Sequence, residues 1–134
     1  MIPKFRAWDV HEKKMFTNDQ LIIWNGNVYA NDNSKLNVDN LKGWNIDEKY
    51  LMQSTGLKDK NGKEIFEGDI VKYKAGCNTF TEEVAYYKNF GGFGVRDAKT
   101  DIIFTFGEVF EDIDIIPLEV IGNIYGNPEL LEGE

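Results

Sequence analysis

Residues 52–73, MQSTGLKDKNGKEIFEGDIVKY, decide the fold class of this chain. The segment 59–62 (DKNG) has the composition of a turn, because Asn and Gly adopt left-handed backbone conformations at low cost. Gly68-Asp69 has the composition of a second turn, and the segment 70–73 after it has that of a strand. Two turns and a strand start in this order predict the first part of a small β-barrel.

Short strand-like segments separated by turn residues continue along the rest of the chain. We expect strands at 50–53, 83–88, 93–96, 102–106 and 119–125. The first of these should end where Thr55-Gly56 interrupts the pattern. Short strands at such spacing predict an all-β fold, or a β fold with minor α content, and not a parallel sheet with crossover helices.

The clearest local pattern is a hairpin near the N-terminus. Strand-like residues at 21–24 and 28–29 flank Asn25-Gly26, a pair that readily supplies the two positive φ angles of a type I′ turn. The polar segment 31–49 that follows is interpreted as a long connection with one helical turn. The sequence therefore predicts one tight hairpin followed by an irregular stretch.

A length of 134 residues suits one ordinary domain or two very small ones. We expect an N-terminal β-hairpin region (1–54), packed on a partly open, small barrel-like region (55–126), with a C-terminal tail (127–134). A single integrated domain is the alternative. The hydrophobic content of 42% is ample for a packed core and excludes a disordered chain.

Charge and cysteine content limit the classes of partner and compartment. The net charge of −8 argues against general nucleic-acid binding, because a polyanion is repelled on average. Cys77 is the single cysteine and cannot form an internal disulfide. The N-terminus has no apolar stretch long enough for a secretory signal, and no run approaches a membrane span. These observations predict a cytoplasmic protein without membrane contact.

Three separated blocks of the sequence resemble one known family. They are FRAWD at 5–9, TGLKDKNGKEI with EGDIV at 55–65 and 67–71, and VIGNIY with NPEL at 120–125 and 127–130. In this order they resemble the YopX family of bacteriophage and prophage proteins. The resemblance implies a β-rich fold, a phage or prophage origin and a cytoplasmic location in a bacterial host, and it carries no catalytic residues. From residue 63 onward the chain also resembles the start of SH3-like barrels.

The residues that could carry chemistry are better interpreted as structural. His11 is the only histidine and lies in a charged turn, so it cannot form a multi-histidine metal site. Asp59 begins a segment whose spacing fails the calcium-loop pattern, and Asp69 has the position of a turn residue. Cys77 lacks the second cysteine that zinc or redox sites need. No catalytic, cofactor-binding or metal site is predicted.

Two sets of apolar residues are candidates for contact with other molecules. Beside the glycine-rich turn at 91–94, aromatic residues could bind a partner: Tyr87, Phe90 and Phe93. The segment 102–116 carries apolar residues on both faces of its pattern, which predicts an oligomer contact through Phe104, Phe110, Ile113 and Ile115. Internal packing is the alternative, because Trp8, Trp24 and Trp44 also need partners.

The sequence favours a non-enzymatic accessory protein of a phage or prophage that binds another macromolecule, and a protein from the host or the phage is the favoured partner. A self-assembling structural homo-oligomer is the main alternative. An acidic mimic of nucleic acid is less favoured, since lysines interrupt the negative charge. A metal-dependent hydrolase is least favoured, because no paired motif supports it.

Overall fold

The computed structural model describes residues 3–30, 44–89, 91–97, 103–106 and 117–132. Within these residues the fold is mainly β, as the sequence predicts. The strands are β1 (Phe5–Asp9), β2 (Lys14–Phe16), β3 (Leu21–Trp24), β4 (Asn27–Ala30), β5 (Trp44–Ile46), β6 (Leu51–Lys58), β7 (Glu64–Phe66), β8 (Asp69–Ala75), β9 (Asn78–Tyr87), β10 (Gly92–Asp97), β11 (Ile103–Thr105) and β12 (Glu119–Asn123). A short helix, α1, spans Glu129–Glu132. The chain divides into two compact units, Met1–Gln53 and Ser54–Glu134.

The first unit is built from antiparallel strands around a small apolar core. Strand β1 pairs with β2 on one side and with the start of β6 on the other. Strands β3, β4 and β5 form a second, three-stranded sheet in that order. The core residues have little or no solvent exposure and are Ala7, Phe16, Val28, Ala30 and Ile46.

The hairpin between β3 and β4 is confirmed as a two-residue type I′ turn. Asn25 has φ 51° and Gly26 has φ 79°, the two positive values that this turn requires. Trp24 pairs with Asn27 across the turn, and Ile22 pairs with Tyr29 further along. The turn therefore fixes which residues of β3 and β4 share a face of the sheet.

The expectation of a long connection over 31–49 is wrong at its C-terminal end. Trp44–Ile46 forms β5, which pairs with β4 so that Ile46 lies opposite Val28. A segment of three residues, with Asn45 between two apolar residues, is too short for a period-two pattern to be recognised in the sequence. The helical turn is confirmed at Glu48–Tyr50, where an Asp47 carboxylate oxygen accepts a hydrogen bond from the Lys49 N–H (3.1 Å). Residues 31–43 lie outside the described ranges.

The second unit contains a five-stranded antiparallel sheet in the order β11-β10-β9-β8-β12. Its apolar core comes from this sheet, from β7 and from the residues next to β11 and β12: Ile65, Val71, Tyr73, Val84, Val95, Phe106, Leu118 and Val120. Strand β9 begins at Asn78, five positions before the predicted start at residue 83. The first part of β9 is polar and exposed, and it forms a ribbon with β8 that a hydrophobic pattern does not reveal.

Strand β6 continues through Thr55-Gly56, where the sequence predicted its end. The Thr55 hydroxyl donates a hydrogen bond to the Ile65 carbonyl oxygen on the paired strand (2.8 Å). The pairing with β7 shifts in register between Ser54 and Lys58, which is the form of a β-bulge. A bulge accommodates the glycine that a regular strand disfavours, so the strand continues instead of ending.

Candidate functional site

Asp59 binds the backbone of the second unit instead of facing solvent. Its side chain is 1% exposed. One carboxylate oxygen accepts hydrogen bonds from the N–H groups of Asn61 (2.9 Å) and Lys63 (2.8 Å). The other accepts from the N–H of Val120 (3.0 Å), 61 positions away in the chain. Burial raises the pKa of this carboxyl, but the three backbone hydrogen bonds and the Lys63 charge outweigh burial and hold the pKa below its usual value.

The Gly68-Asp69 turn has the structural role that the sequence predicts. An Asp69 carboxylate oxygen accepts a hydrogen bond from the Phe66 N–H (2.8 Å). The Gly68 N–H donates to the Val84 carbonyl (2.8 Å), and the Gly68 carbonyl accepts from the Ile124 N–H (2.8 Å). The turn thus connects three separate parts of the second unit, one through the Asp69 side chain and two through the Gly68 backbone.

The segment 122–127 forms a compact turn from its own asparagine side chains. The Asn123 side-chain oxygen accepts from the N–H groups of Tyr125 (3.0 Å) and Gly126 (2.7 Å). A β-carbon on Gly122 would lie 2.7 Å from the Asn127 side-chain oxygen, so only glycine fits there without displacing Asn127. The distinctive blocks of sequence at 55–71 and 120–127 therefore build the backbone framework of the second unit.

The structure places the predicted partner-binding aromatics at the β9–β10 hairpin. Tyr87 is half-buried. Phe93 is also half-buried and packs against the apolar core, with its ring edge-on to Tyr86 at 5.2 Å between centroids. Tyr86 is 47% exposed and is the more accessible aromatic of this pair. Phe90 lies outside the described residues.

The predicted oligomer contact falls almost wholly outside the described part of the chain. Phe104 belongs to β11, where its backbone pairs with Val95 of β10. The other three residues lie outside the described ranges: Phe110, Ile113 and Ile115.

The remaining candidate residues of the sequence occupy turns. His11 is exposed in the turn between β1 and β2. Cys77 is exposed in the two-residue turn between β8 and β9. In the residues that the structure describes, no group of three or more His, Cys, Asp or Glu side chains is placed to hold a metal ion.

The second unit contains a buried carboxylate that was not predicted from the sequence. Glu82 is 1% exposed, and the Tyr73 hydroxyl donates a hydrogen bond to it. Tyr73 also stacks on Phe80, with 5.4 Å between ring centroids. Period-two alternation places Glu82 on the same face of β9 as Phe80 and Val84, which is the signal that could have located it. Such burial is tolerated where hydrogen bonds compensate the lost hydration.

The first unit exposes a group of large apolar residues at its hairpin. Trp24 is 71% exposed, Ile23 48% and Ile22 39%. Because directly opposite residues of an antiparallel pair share a face, Ile22, Trp24 and the half-buried Tyr29 lie on the outer face of the sheet, which we call the hairpin face. The sequence offers internal packing of Trp24 only as the alternative to an oligomer contact, since an alternating pattern does not show which face of a strand stays uncovered.

A cavity of about 420 Å³ adjoins the hairpin face in the first unit. It is lined by the first residues of β4 and the hairpin turn, by β5 and by Asp47 and Glu48, and we call it the acidic cavity. Among the seven described residues that line it, the polar side chains are two carboxylates and the amides of Asn27 and Asn45, and none is basic. Asn27 is also the cross-strand partner of Trp24. One residue that lines the cavity therefore lies directly beside Trp24 in the sheet.

A second cavity of about 290 Å³ shares Asn45, Ile46 and Asp47 with the acidic cavity. Its lining includes both signs of charge, and the Lys49 ammonium lies 5.1 Å from the centre of the Tyr50 ring. In the described part of the chain, the acidic cavity thus differs from its neighbour in having carboxylates without a lining cation. Apolar side chains next to unneutralised acceptors suit non-covalent recognition of a ligand that is partly apolar and partly cationic.

No helix in the described part of the chain is long and apolar enough to cross a membrane.

Comparison with known proteins gives a family and a fold relative. No match was found among curated proteins. Among solved structures, the chain is similar to the crystal structure of protein EF1440 from Enterococcus faecalis, with 34% sequence identity and a TM-score of 0.58. The match covers 98% of this chain and 99% of that one. The family model described as YopX protein matches residues 4–132, nearly the whole sequence, and the chain therefore belongs to the YopX family.

Proposed function

We propose that this chain is a non-enzymatic protein-binding module of phage or prophage origin, which acts in the bacterial cytoplasm and contacts its partner through the hairpin face. The observation that carries the proposal is the 71% exposure of Trp24 on that face, next to Ile22 at 39%. Membership in the YopX family supports the wider setting. The structural roles of Asp59 and Asp69 support a binding function over a catalytic one, because both carboxylates are engaged by backbone N–H groups.

The hairpin fixes the backbone of Trp24. The indole belongs to the last residue before a type I′ turn, and β3 is paired with β4 along all four of its residues. A rigid aromatic anchor loses little conformational freedom on binding, which is one reason that Trp is enriched among residues that dominate interface energies.

The exposed residues of β3 also lack the features that protect a sheet edge. Within the described ranges β3 pairs on one side only. Its sequence, LIIW, carries no charged residue and no proline. Natural proteins usually place such residues on edge strands to prevent unwanted association. An unprotected apolar strand is therefore typical of a surface that is covered by another protein.

The test is a tagged pull-down from bacterial lysate with matched surface variants. Trp24→Ser removes the exposed indole of the hairpin face, and Tyr86→Ser removes an exposed aromatic of the second unit as the control. We expect a captured protein whose affinity falls about 30-fold or more in Trp24→Ser, the scale of a dominant interface residue, and stays within about 2-fold in Tyr86→Ser. A partner retained equally by both variants contradicts the proposal.

Self-assembly is a second candidate, favoured by the same open edge of β3. Two copies could pair their β3 strands, or could use the segment 102–116, where Phe104, Phe110, Ile113 and Ile115 are the proposed contacts. Light scattering coupled to size exclusion separates these outcomes. A mass that stays at 15.4 kDa over a concentration series contradicts self-assembly. A larger mass reduced by Trp24→Ser places the contact in the hairpin, and one reduced by Phe110→Asp places it in 102–116.

A further inference from the structure

The acidic cavity gives the proposed partner a definite charge. Asp47 and Glu48 line it together with the amides of Asn27 and Asn45, and both carboxylates belong to exposed residues. The lysine nearest in sequence, Lys49, lines the neighbouring cavity and lies over the Tyr50 ring. Among its lining residues the acidic cavity therefore presents acceptors and negative charge to whatever enters it.

The cavity and the hairpin face are close enough for one segment of a partner to contact both. Trp24 and Asn27 are directly paired, and residues so paired have Cα atoms about 4.5–5.5 Å apart. Residues i and i+2 of an extended segment lie about 6.5–7 Å apart on one face. An apolar residue against Trp24 and a long side chain two positions away can therefore reach the indole and the cavity together.

We infer that the hairpin face and the acidic cavity form one binding site for an extended, basic segment of another protein. An apolar residue of that segment covers Ile22 and Trp24, and a Lys or Arg side chain enters the cavity between Asp47 and Glu48. This inference rests on the proposed function and adds the chemistry of the ligand to it. Arg fits best, because its guanidinium donates to carboxylate and amide oxygens from one plane.

The charge of the whole chain favours this occupant over two others. At a net charge of −8, a second copy of the chain is repelled, and so is a nucleic acid. A basic segment is attracted over the same distances, which raises its rate of association as well as its affinity.

The experiment selects random 12-residue peptides displayed on phage particles against the intact chain, with Trp24→Ser as the counter-selected protein. Selected peptides are then synthesised with a fluorescent label, and their dissociation constants are measured by anisotropy. The variant Asp47→Asn/Glu48→Gln removes both charges of the cavity while the Asn oxygen can still accept from the Lys49 N–H. The control Glu129→Gln/Glu132→Gln changes net charge equally, from −8 to −6, at α1 in the second unit.

The inference predicts peptides that are enriched in Lys or Arg two positions from an apolar residue. Their dissociation constants should rise about 5-fold or more in the cavity variant and less than about 2-fold in the control, the scale of one partly exposed ion pair. Replacing the basic residue of the peptide by Gln should give the same loss, and the cavity variant should then add little to it.

The other outcomes separate this inference from the proposed function. Peptides that require Trp24 but carry no basic residue, or that bind the cavity variant unchanged, overturn the inference and leave the proposed function standing. If no peptide is retained beyond the level found with Trp24→Ser, the inference fails, and the pull-down with Trp24→Ser and Tyr86→Ser decides the proposed function separately. A labelled 20-nucleotide single-stranded or double-stranded DNA that binds the intact chain through Trp24 also overturns the inference, because the site then takes a polyanion.

Discussion

Asp59 provides the sharpest test of how the second unit is held together. Asp59→Ala removes the carboxylate that accepts hydrogen bonds from three backbone N–H groups. The Val120 N–H belongs to a buried hydrogen bond, and leaving such a group without an acceptor costs about 1–3 kcal/mol. Asn61 and Lys63 are exposed, so water can replace the carboxylate there and each lost hydrogen bond costs about 0.5–1.5 kcal/mol. We therefore expect Asp59→Ala to lower the free energy of unfolding by about 2–6 kcal/mol.

Asp59→Asn isolates the Val120 contribution. The carboxamide oxygen can keep the hydrogen bonds from Asn61 and Lys63, but its NH₂ group then faces the Val120 N–H with two donors and no acceptor. The expected loss is about 1–3 kcal/mol. Asp47→Asn is the control, because a side-chain oxygen remains for the Lys49 N–H, and its effect should stay below about 0.5 kcal/mol.

The pH dependence of this difference has a definite sign. The pKa of Asp59 in the folded chain lies below its ordinary value of 3.8. A carboxyl with a lowered folded pKa contributes stability that is present above the unfolded pKa and is lost as pH falls through the folded pKa. The stability gap between the native chain and Asp59→Asn should therefore be constant at neutral pH and shrink below about pH 3.8.

The assay must report on the second unit. All three tryptophans, Trp8, Trp24 and Trp44, belong to the first unit, so their fluorescence follows that unit. Urea unfolding followed by circular dichroism reports on both units together, and amide hydrogen exchange at Val120 reports on the second. If Asp59→Asn unfolds within 0.5 kcal/mol of the native chain and Val120 keeps its exchange protection, the role assigned to this carboxylate is refuted.

Three further substitutions test other parts of the fold. Gly26→Val should lower the free energy of unfolding by about 1 kcal/mol or more, because φ at this position is 79°, although a β-carbon would meet nothing within 4 Å. The control Gly26→Asn should be nearly neutral. An unchanged melting temperature in the valine variant would count against the turn type. Gly122→Ala should lower the free energy of unfolding by about 1–3 kcal/mol, because the new β-carbon displaces Asn127. The control Gly92→Ala should not destabilise, since a β-carbon there meets nothing within 4 Å. Equal melting temperatures of the two variants would contradict the close approach of Asn127 to Gly122. Tyr73→Phe should lower the free energy of unfolding by about 1–3 kcal/mol, since the buried Glu82 loses a hydrogen-bond donor. Tyr86→Phe is the control, because it removes the hydroxyl of an exposed tyrosine.

Local chemistry explains what could be predicted from the sequence. The hairpin at Asn25-Gly26 follows from two adjacent residues that tolerate positive φ, so no information from elsewhere in the chain is needed. The Gly68-Asp69 turn follows in the same way, from a short side chain that reaches nearby backbone. The β-rich class follows because several such turns separate short segments of strand-forming residues.

Features that depend on distant pairing could not be predicted. Strand β5 is three residues long and is defined by its register with β4, not by its own composition. The exposure of Trp24 and the burial of Glu82 share one cause: alternation gives two faces of a strand, and only the packing of other strands decides which face is covered. The candidate site therefore lies where a large apolar residue, Trp24, is exposed instead of buried.

Photo-cross-linking from position 24 tests the central claim most directly. A benzophenone-bearing amino acid replaces Trp24 in one variant and Tyr86 in another, and both are expressed in bacteria and irradiated. We expect a protein cross-linked through position 24, at a segment that carries Lys or Arg, with little or no product from position 86. Cross-links to a partner that form from position 86 and not from position 24 would show that the hairpin face is not the contact surface.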